Sequence, residues 1–253
     1  MHRYFLHLAY DGTPFNGWQI QKNAPSVQET LNRALFHLCK EPINVVGCGR
    51  TDTGVHARNF YAHFDTITAI INPTLLVENL NNYLPKGILI YDLINVSQDA
   101  HARFDAISRT YKYYILREKD PFNQLYAHYY RGPLNIELMN TACEILIQHR
   151  DFTSFSKVKT DVKTFICEIS EAKWTSEGNQ LIFQISADRF LRNMVRAIVG
   201  TMLDIGKEKF SISDFNKIIE SKNRSNAGYS VPAKGLFLEN ISYPSSLFPP
   251  EKQ

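Results

Sequence analysis

Ile43-Asn44-Val45-Val46-Gly47-Cys48-Gly49-Arg50-Thr51-Asp52-Thr53-Gly54-Val55-His56-Ala57-Arg58-Asn59-Phe60-Tyr61-Ala62-His63-Phe64-Asp65 is the stretch on which the fold turns. Residues 43 to 48 predict a short apolar strand. Residues 57 to 65 predict a second, with Phe60, Ala62 and Phe64 on one face. The connection between them puts Asp52 at a hairpin tip, two residues from the fixed charge of Arg50. Glycines bracket both, and glycine tolerates unusual backbone angles and lets another backbone come close. An ordinary hairpin turn has the same composition. Two readings therefore stand for the loop alone: a plain turn, or an acid presented at the bottom of a cleft.

Outward from this hairpin, the pattern extends to strand, helix, strand, strand, helix, strand. Tyr4, Leu6, Leu8 and Tyr10 alternate as a half-buried strand. Ser26 to Glu29 has the spacing of a capping box, and Val27, Leu31, Leu35 and Leu38 follow at helical period. Asn72 and Pro73 open a second helix lined by Leu76, Leu80 and Leu84. Ile88 to Val96 closes the set. The second half predicts a strand over 103–117 and a helix capped by Asn135, with Leu138, Ala142, Ile145 and Leu146 facing inward. Strands over 162–174 and 180–187 come next, then an apolar helix over 190–205 stopped by Gly206. A short helix near 213–221 and a last strand over 235–243 follow.

The expected fold is α+β: two β-α-β-β-α-β halves with mostly antiparallel mixed sheets and a central cleft. The division is placed at residues 1–102 and 103–245, with 246–253 as a loose tail. The duplication is architectural, since the halves share no residue-level repeat. Only the first half has a glycine-bracketed acid at its central turn.

The bulk numbers exclude some classes. At 253 residues, 44% hydrophobic and 12% aromatic, the chain can fill a sizeable core and is not a disordered protein. A net charge of +3 leaves nucleic-acid binding to a local patch. Cys39, Cys48, Cys143 and Cys167 have no metal-site or disulfide-framework spacing, as in a reducing compartment. No signal peptide is visible, and no run approaches the roughly 18 apolar residues of a membrane helix. A soluble, cytoplasmic protein without cofactor or metal is expected.

Further stretches carry chemistry. Phe190 to Gly200 reads as a buried helix with Leu191, Met194, Val195 and Ile198 inward, Arg192 and Arg196 at i, i+4, and Gly200 allowing close backbone packing. An arginine on such a helix either snorkels to solvent or finds an anion. The sharper reading pairs Arg196 with Asp52 across the cleft and so favours the carboxylate. Arg109-Thr110-Tyr111-Lys112-Tyr113-Tyr114 offers three tyrosines. Packing accounts for two of them, and the third is a candidate platform for a nucleobase beside Arg103, Arg109 and Lys112. Arg58, Arg109 and Lys112 are the basic side chains expected to touch RNA. Lys157, Lys159 and Lys163 form either a solvated basic face or a phosphate contact. Trp18 in the loop after the first strand reads as packing. His56 and His63 could join Asp52 around a metal, but strand alternation would not bring the three together.

In combination these motifs resemble the tRNA pseudouridine synthases of the A type. Gly49 to Ala57 stands for the G-R-T-D-x-G-V-H-A pattern, and Phe190 to Gly200 for F-L-x-x-M-V-R-x-x-V-G. Tyr10-Asp11-Gly12 with Gly17-Trp18-Gln19 stands for the opening motif, Arg109-Thr110-Tyr111 for R-x-Y, and Pro232 to Leu236 for P-A-x-G-L. They run in order along nearly the whole chain. Thr53 stands where the family often has Ala, and Val231 where Ala is usual; neither change removes a functional group.

The resemblance implies that Asp52 is the catalytic aspartate of uridine isomerisation, with no cofactor. Arg50 would displace the target base and hold it out. Tyr111 would stack on the uracil and serve as base, Arg196 would pair with Asp52, and Leu236 would pack on the other side of the uracil. It implies tRNA as partner, uridines at positions 38, 39 and 40 of the anticodon stem-loop as targets, and a homodimer. Two other classes compete: a non-catalytic RNA-binding protein of tandem RRM-like units, and a metal-dependent hydrolase using Asp52, His56 and His63.

Overall fold

A computed structural model describes residues 1–158 and 162–248. It is an α+β protein with mixed strand pairing, divided into two compact units. One unit is Met1–Ile107 together with the chain from Leu238, and the other is Ser108–Phe237.

The first unit runs β1 (His2–Tyr10), α1 (Val27–Cys39), β2 (Val46–Gly47), β3 (His56–Thr66), α2 (Pro73–Tyr83) and β4 (Ile88–Val96). Its sheet has the order β4-β1-β3, all antiparallel, and β2 pairs with β3. The strand β9 (Leu236–Ser242) returns to lie beside β3. Facing pairs Tyr4–Phe64, Leu6–Ala62 and Leu8–Phe60 are buried with Val27, Leu31, Ala34 and Leu35 of α1. Each large apolar side chain taken out of water there contributes roughly 1.5–3 kcal/mol. Ser26 caps α1 by accepting from Glu29 N–H, and Asn72 caps α2 ahead of Pro73. The opposite sheet face holds Phe5, His7, Tyr61 and His63, with Tyr243 and Phe248 packed edge-on against Phe5.

The second unit runs β5 (Ser108–Leu116), β6 (His128–Tyr129), α3 (Ile136–Gln148), β7 (Ile169–Glu177), β8 (Gln180–Ala187), α4 (Met194–Gly206) and α5 (Ile212–Glu220). Its strands lie β5-β8-β7, antiparallel, and β6 runs parallel to β5. In the first unit β1 lies between β4 and β3, and in the second β5 is flanked by β8 and β6. Asn135 caps α3 as expected, but Met139 and Cys143 join Ala142 and Leu146 on its buried face, while Leu138 and Ile145 are only half-buried. The helix α4 is buried along all but Arg196. Gly200 allows this, because an added Cβ would overlap the Tyr229 carbonyl oxygen.

Four elements are shorter than the pattern predicts, each for a local reason. Val45 gives its N–H to Asn32 and its carbonyl to Gln28, both on α1, so only Val46–Gly47 pairs as strand. Residues 101–105 close on themselves through Asp105 N–H to His101 O and His101 N–H to the Asp105 carboxylate, which delays β5 to Ser108. Asn193 has φ 65°, so α4 begins at Met194 and Arg192 lies outside it. Phe165 and Cys167 bond to Phe152 and Arg150, and β7 begins only at Ile169. The segment around 100–107 also belongs to the first unit, held by Arg3 to Ala100 O and by Ile107 N–H to Ser242 O. Packing therefore divides the chain at 107/108 rather than 102/103, and residues from Leu238 pack with the first unit rather than with the second half.

That segment carries a pH response. His63 Nδ1 accepts from Ala102 N–H at 3.1 Å and its ring meets His101 edge-on. Burial first, then the neighbouring His101 and Arg3, pull His63 down to about 4 from 6.5, against the opposing charges of Asp65 and Asp105. Between those values the unfolded chain binds a proton that the folded one refuses. Stability is thus complete above about pH 6.5 and falls as the pH drops toward 4, by on the order of 2–3 kcal/mol. Urea midpoints at pH 7 and pH 5 check this. His63→Gln, with an amide oxygen for Ala102, is expected to flatten that difference.

Candidate active site

Asp52 sits in a turn whose main chain is fixed on both sides. Val55 N–H donates to Asp52 O at 3.1 Å, and Gly54 takes φ 75°, which a side chain rarely adopts. Before it, Thr51 is almost buried. Its carbonyl accepts from Trp18 N–H at 3.3 Å and its hydroxyl meets the Tyr10 hydroxyl at 2.9 Å. After it, the buried His56 ring receives Gly12 N–H at 3.1 Å on Nδ1, with the Asp11 carboxylate 3.0 Å from the same nitrogen.

Glycine makes this seat possible. A Cβ on Gly12 would overlap Val55 O, and one on Gly17, at φ 88°, would overlap Thr51 O. A Cβ on Gly47 would press on the Trp18 ring, which stacks on Phe60 at 4.2 Å. The loop holding Trp18 is packing, as expected, and what it packs is the Asp52 turn. Two glycines and a tryptophan downstream of a strand were the sequence signal for that cradle. Gly49 differs: nothing lies within 4 Å of where its Cβ would be. Arg50 beside it is exposed.

In the second unit the tyrosines separate as expected. Tyr113 and Tyr114 are buried; Tyr113 donates to Pro232 O at 2.9 Å, and burial pushes its phenol far up. Tyr114 packs edge-on against Phe237. Tyr111 is half-buried, with Phe190 edge-on to it at 5.1 Å. Arg196, on the first turn of α4, donates from Nε to Val231 O at 2.8 Å, and Val231 N–H returns a bond to Arg196 O. Leu236 is buried beside Gly235, whose missing Cβ leaves room for the Tyr113 ring.

The other basic candidates are engaged locally. Arg58 pairs with Glu239 at 3.1 Å, Arg109 donates to Asp188 O, and Lys112 faces Gln184 across the β5–β8 ladder. Lys157 N–H bonds to Arg192 O and its side chain is exposed, as is Lys163; Lys159 lies outside the described residues. Among the described residues no group of three His, Cys, Asp or Glu is placed to hold a metal, and His63 is bonded to Ala102 instead. Among them also, no helix is long and apolar enough to cross a membrane.

Comparison with known proteins gives the same direction. A family model described as tRNA pseudouridine synthase matches residues 142–244. The chain is 52% identical over 251 residues to tRNA pseudouridine synthase A of Parabacteroides distasonis, covering 99% of this chain and 100% of that one. It is 53% identical over 252 residues to the protein of that name from Porphyromonas gingivalis, covering 98% and 100%. The Clostridium acetobutylicum protein, also of that name, is 42% identical over 240 residues, covering 94% and 98%. Identity at this level over both full lengths makes the chain a member of the tRNA pseudouridine synthase A family.

Proposed function

We propose that the protein isomerises uridine to pseudouridine in the anticodon stem-loop of tRNA, at positions 38, 39 and 40, as a cytoplasmic homodimer. The observation that carries the reading is the seat of Asp52: an acid on a turn fixed at both ends, in a chain that matches synthases along their whole length. Each unit is read as a split β-α-β fold of the RRM and ferredoxin kind. The antiparallel β4-β1-β3 and β5-β8-β7 arrangements, with helices between strands along the chain, support this.

The reaction breaks the C1′–N1 bond, turns the uracil and joins C1′ to C5. The C5 proton leaves to solvent and N1 gains one, so there is no net oxidation or hydrolysis. The base must leave the stack first, which calls for a cation and a flat sandwich. Arg50 supplies the cation, and Tyr111 and Leu236 the two sides. A carboxylate at Asp52 places negative charge where the sugar turns positive as the bond breaks, and Arg196 is its partner. Tyr111 takes the proton-transfer role. Arg58, Arg109 and Lys112 meet phosphates. An exposed ion pair such as Arg58–Glu239 is worth under about 1 kcal/mol, so its arginine can exchange partners readily.

The direct test is to incubate the protein with unmodified tRNA and map pseudouridine. Product at 38–40 is expected, and an unmodified anticodon arm would sink the substrate assignment. Gly49 gives a finer test, because space around it is open for a nucleic-acid backbone. Gly49→Ala is expected to leave the melting temperature unchanged while weakening tRNA binding by roughly tenfold, about 1.4 kcal/mol. Equal affinity would mean that RNA does not approach there.

A further inference from the structure

We infer that Tyr10 and Thr51 form a positioning pair that aims Asp52, an inference resting on the isomerase reading above. Thr51 immediately precedes Asp52 and has no strand partner of its own. Two bonds hold it: Trp18 N–H to its carbonyl, and the Tyr10 hydroxyl to its Oγ1 at 2.9 Å. Tyr10 stands at the end of β1 with its ring packed against both Trp18 and Phe60. It is 4% exposed, and Thr51 is 9% exposed.

A buried phenol hydroxyl finds a partner as a rule. Here the partner is the residue whose carbonyl forms the peptide into Asp52. Threonine is stiff at χ1, so fixing its hydroxyl and its carbonyl together fixes the plane of that peptide. Beyond Asp52 the Val55 bond and the Gly17 contact fix the other side. The Tyr10 hydroxyl thereby helps set the direction in which the Asp52 side chain leaves the main chain. Packing by itself needs only the ring, which phenylalanine supplies equally well. The hydroxyl serves aim.

Catalysis feels misplacement far more than folding does, since an error near 1 Å can cost about a hundredfold. Turnover and tRNA binding are measured for Tyr10→Phe, Thr51→Val, Thr51→Ser and the Tyr10→Phe/Thr51→Val double variant, with Asp52→Asn beside them. Tyr10→Phe and Thr51→Val are each expected to lower kcat about 10- to 100-fold, with tRNA affinity held. Thr51→Ser, which keeps the hydroxyl, recovers most of the turnover. The double variant is no slower than the slower single one, as for residues acting as a unit. Should Thr51→Val fail to fold, Tyr10→Phe, which loses one oxygen, carries the test. Parental kcat in Tyr10→Phe, or losses that multiply in the double variant, overturns the pair while leaving Asp52 in place. Turnover by Asp52→Asn overturns the isomerase role of Asp52, and the pair with it.

Discussion

Asn in place of Asp52 is expected to leave the protein folded and tRNA-bound while lowering turnover by about 10⁴-fold or more, the usual scale for loss of a central catalytic group. Asparagine has the same shape, and the turn is held through main chain: Asp52 O to Val55 N–H, and Thr51 O to Trp18 N–H. The substitution removes the charge and turns one acceptor oxygen into an NH2 donor. Release of tritium from uracil C5 in labelled tRNA reports the reaction directly, because forming C1′–C5 expels that hydrogen. Filter binding reports affinity. Wild-type release by the variant would remove Asp52 from the chemistry. If neither binding nor product changed, Asp52 would be only a turn residue and another group would carry the chemistry.

Ala at Gly200 is expected to be the most damaging small change to stability. On helix propensity alone alanine gains about 1 kcal/mol over glycine. Here its Cβ would overlap the Tyr229 carbonyl oxygen, which is main chain and cannot rotate away. Forcing such an overlap typically costs about 1–3 kcal/mol, occasionally more. We expect a net loss near 2 kcal/mol and a fall in melting temperature of roughly 4–8 °C. The shift of Tyr229 also drags Val231 from α4, loosening its two bonds to Arg196. Activity should fall with stability. A thermal melt and a turnover assay check both, and an unchanged or raised midpoint would show that this approach is not tight.

Much of this was legible in the chain. Helix starts were readable because Ser26, Asn72 and Asn135 each cap through a short-range bond to a residue three positions on. The β8 limits were readable from the turn at Gly178, which takes φ 58°, whereas α4 runs through Gly206 and is capped by Lys207, one residue beyond the expected end. What misled was pairing at a distance. Val45 is as strand-like as Val46, yet two amides on α1 claim its backbone. Arg192 has helical spacing to Arg196, but Asn193 adopts a left-handed turn between them. For the site, the Asp52 turn and its glycines stood out by composition. The seat beneath it did not, because Tyr10–Thr51 and Gly12–Val55 join residues about forty positions apart.

The return of β9 to the first unit has a consequence for synthesis. Residues 1–107 are translated first, yet their sheet gains its neighbour at β3, with the Asn59 bond to Glu239 O, only when the chain reaches residue 239. Tyr243 and Phe248, which cover Phe5, emerge later still. Until then a growing polypeptide on the ribosome displays an open strand edge and uncovered aromatic rings, the features that invite aggregation. Arg58 and Asp65 place charge on that strand, as gatekeepers do. The later-made unit, Ser108–Phe237, is synthesised in full before the residues from Leu238 that complete the first, so the order of completion is the reverse of the order of manufacture.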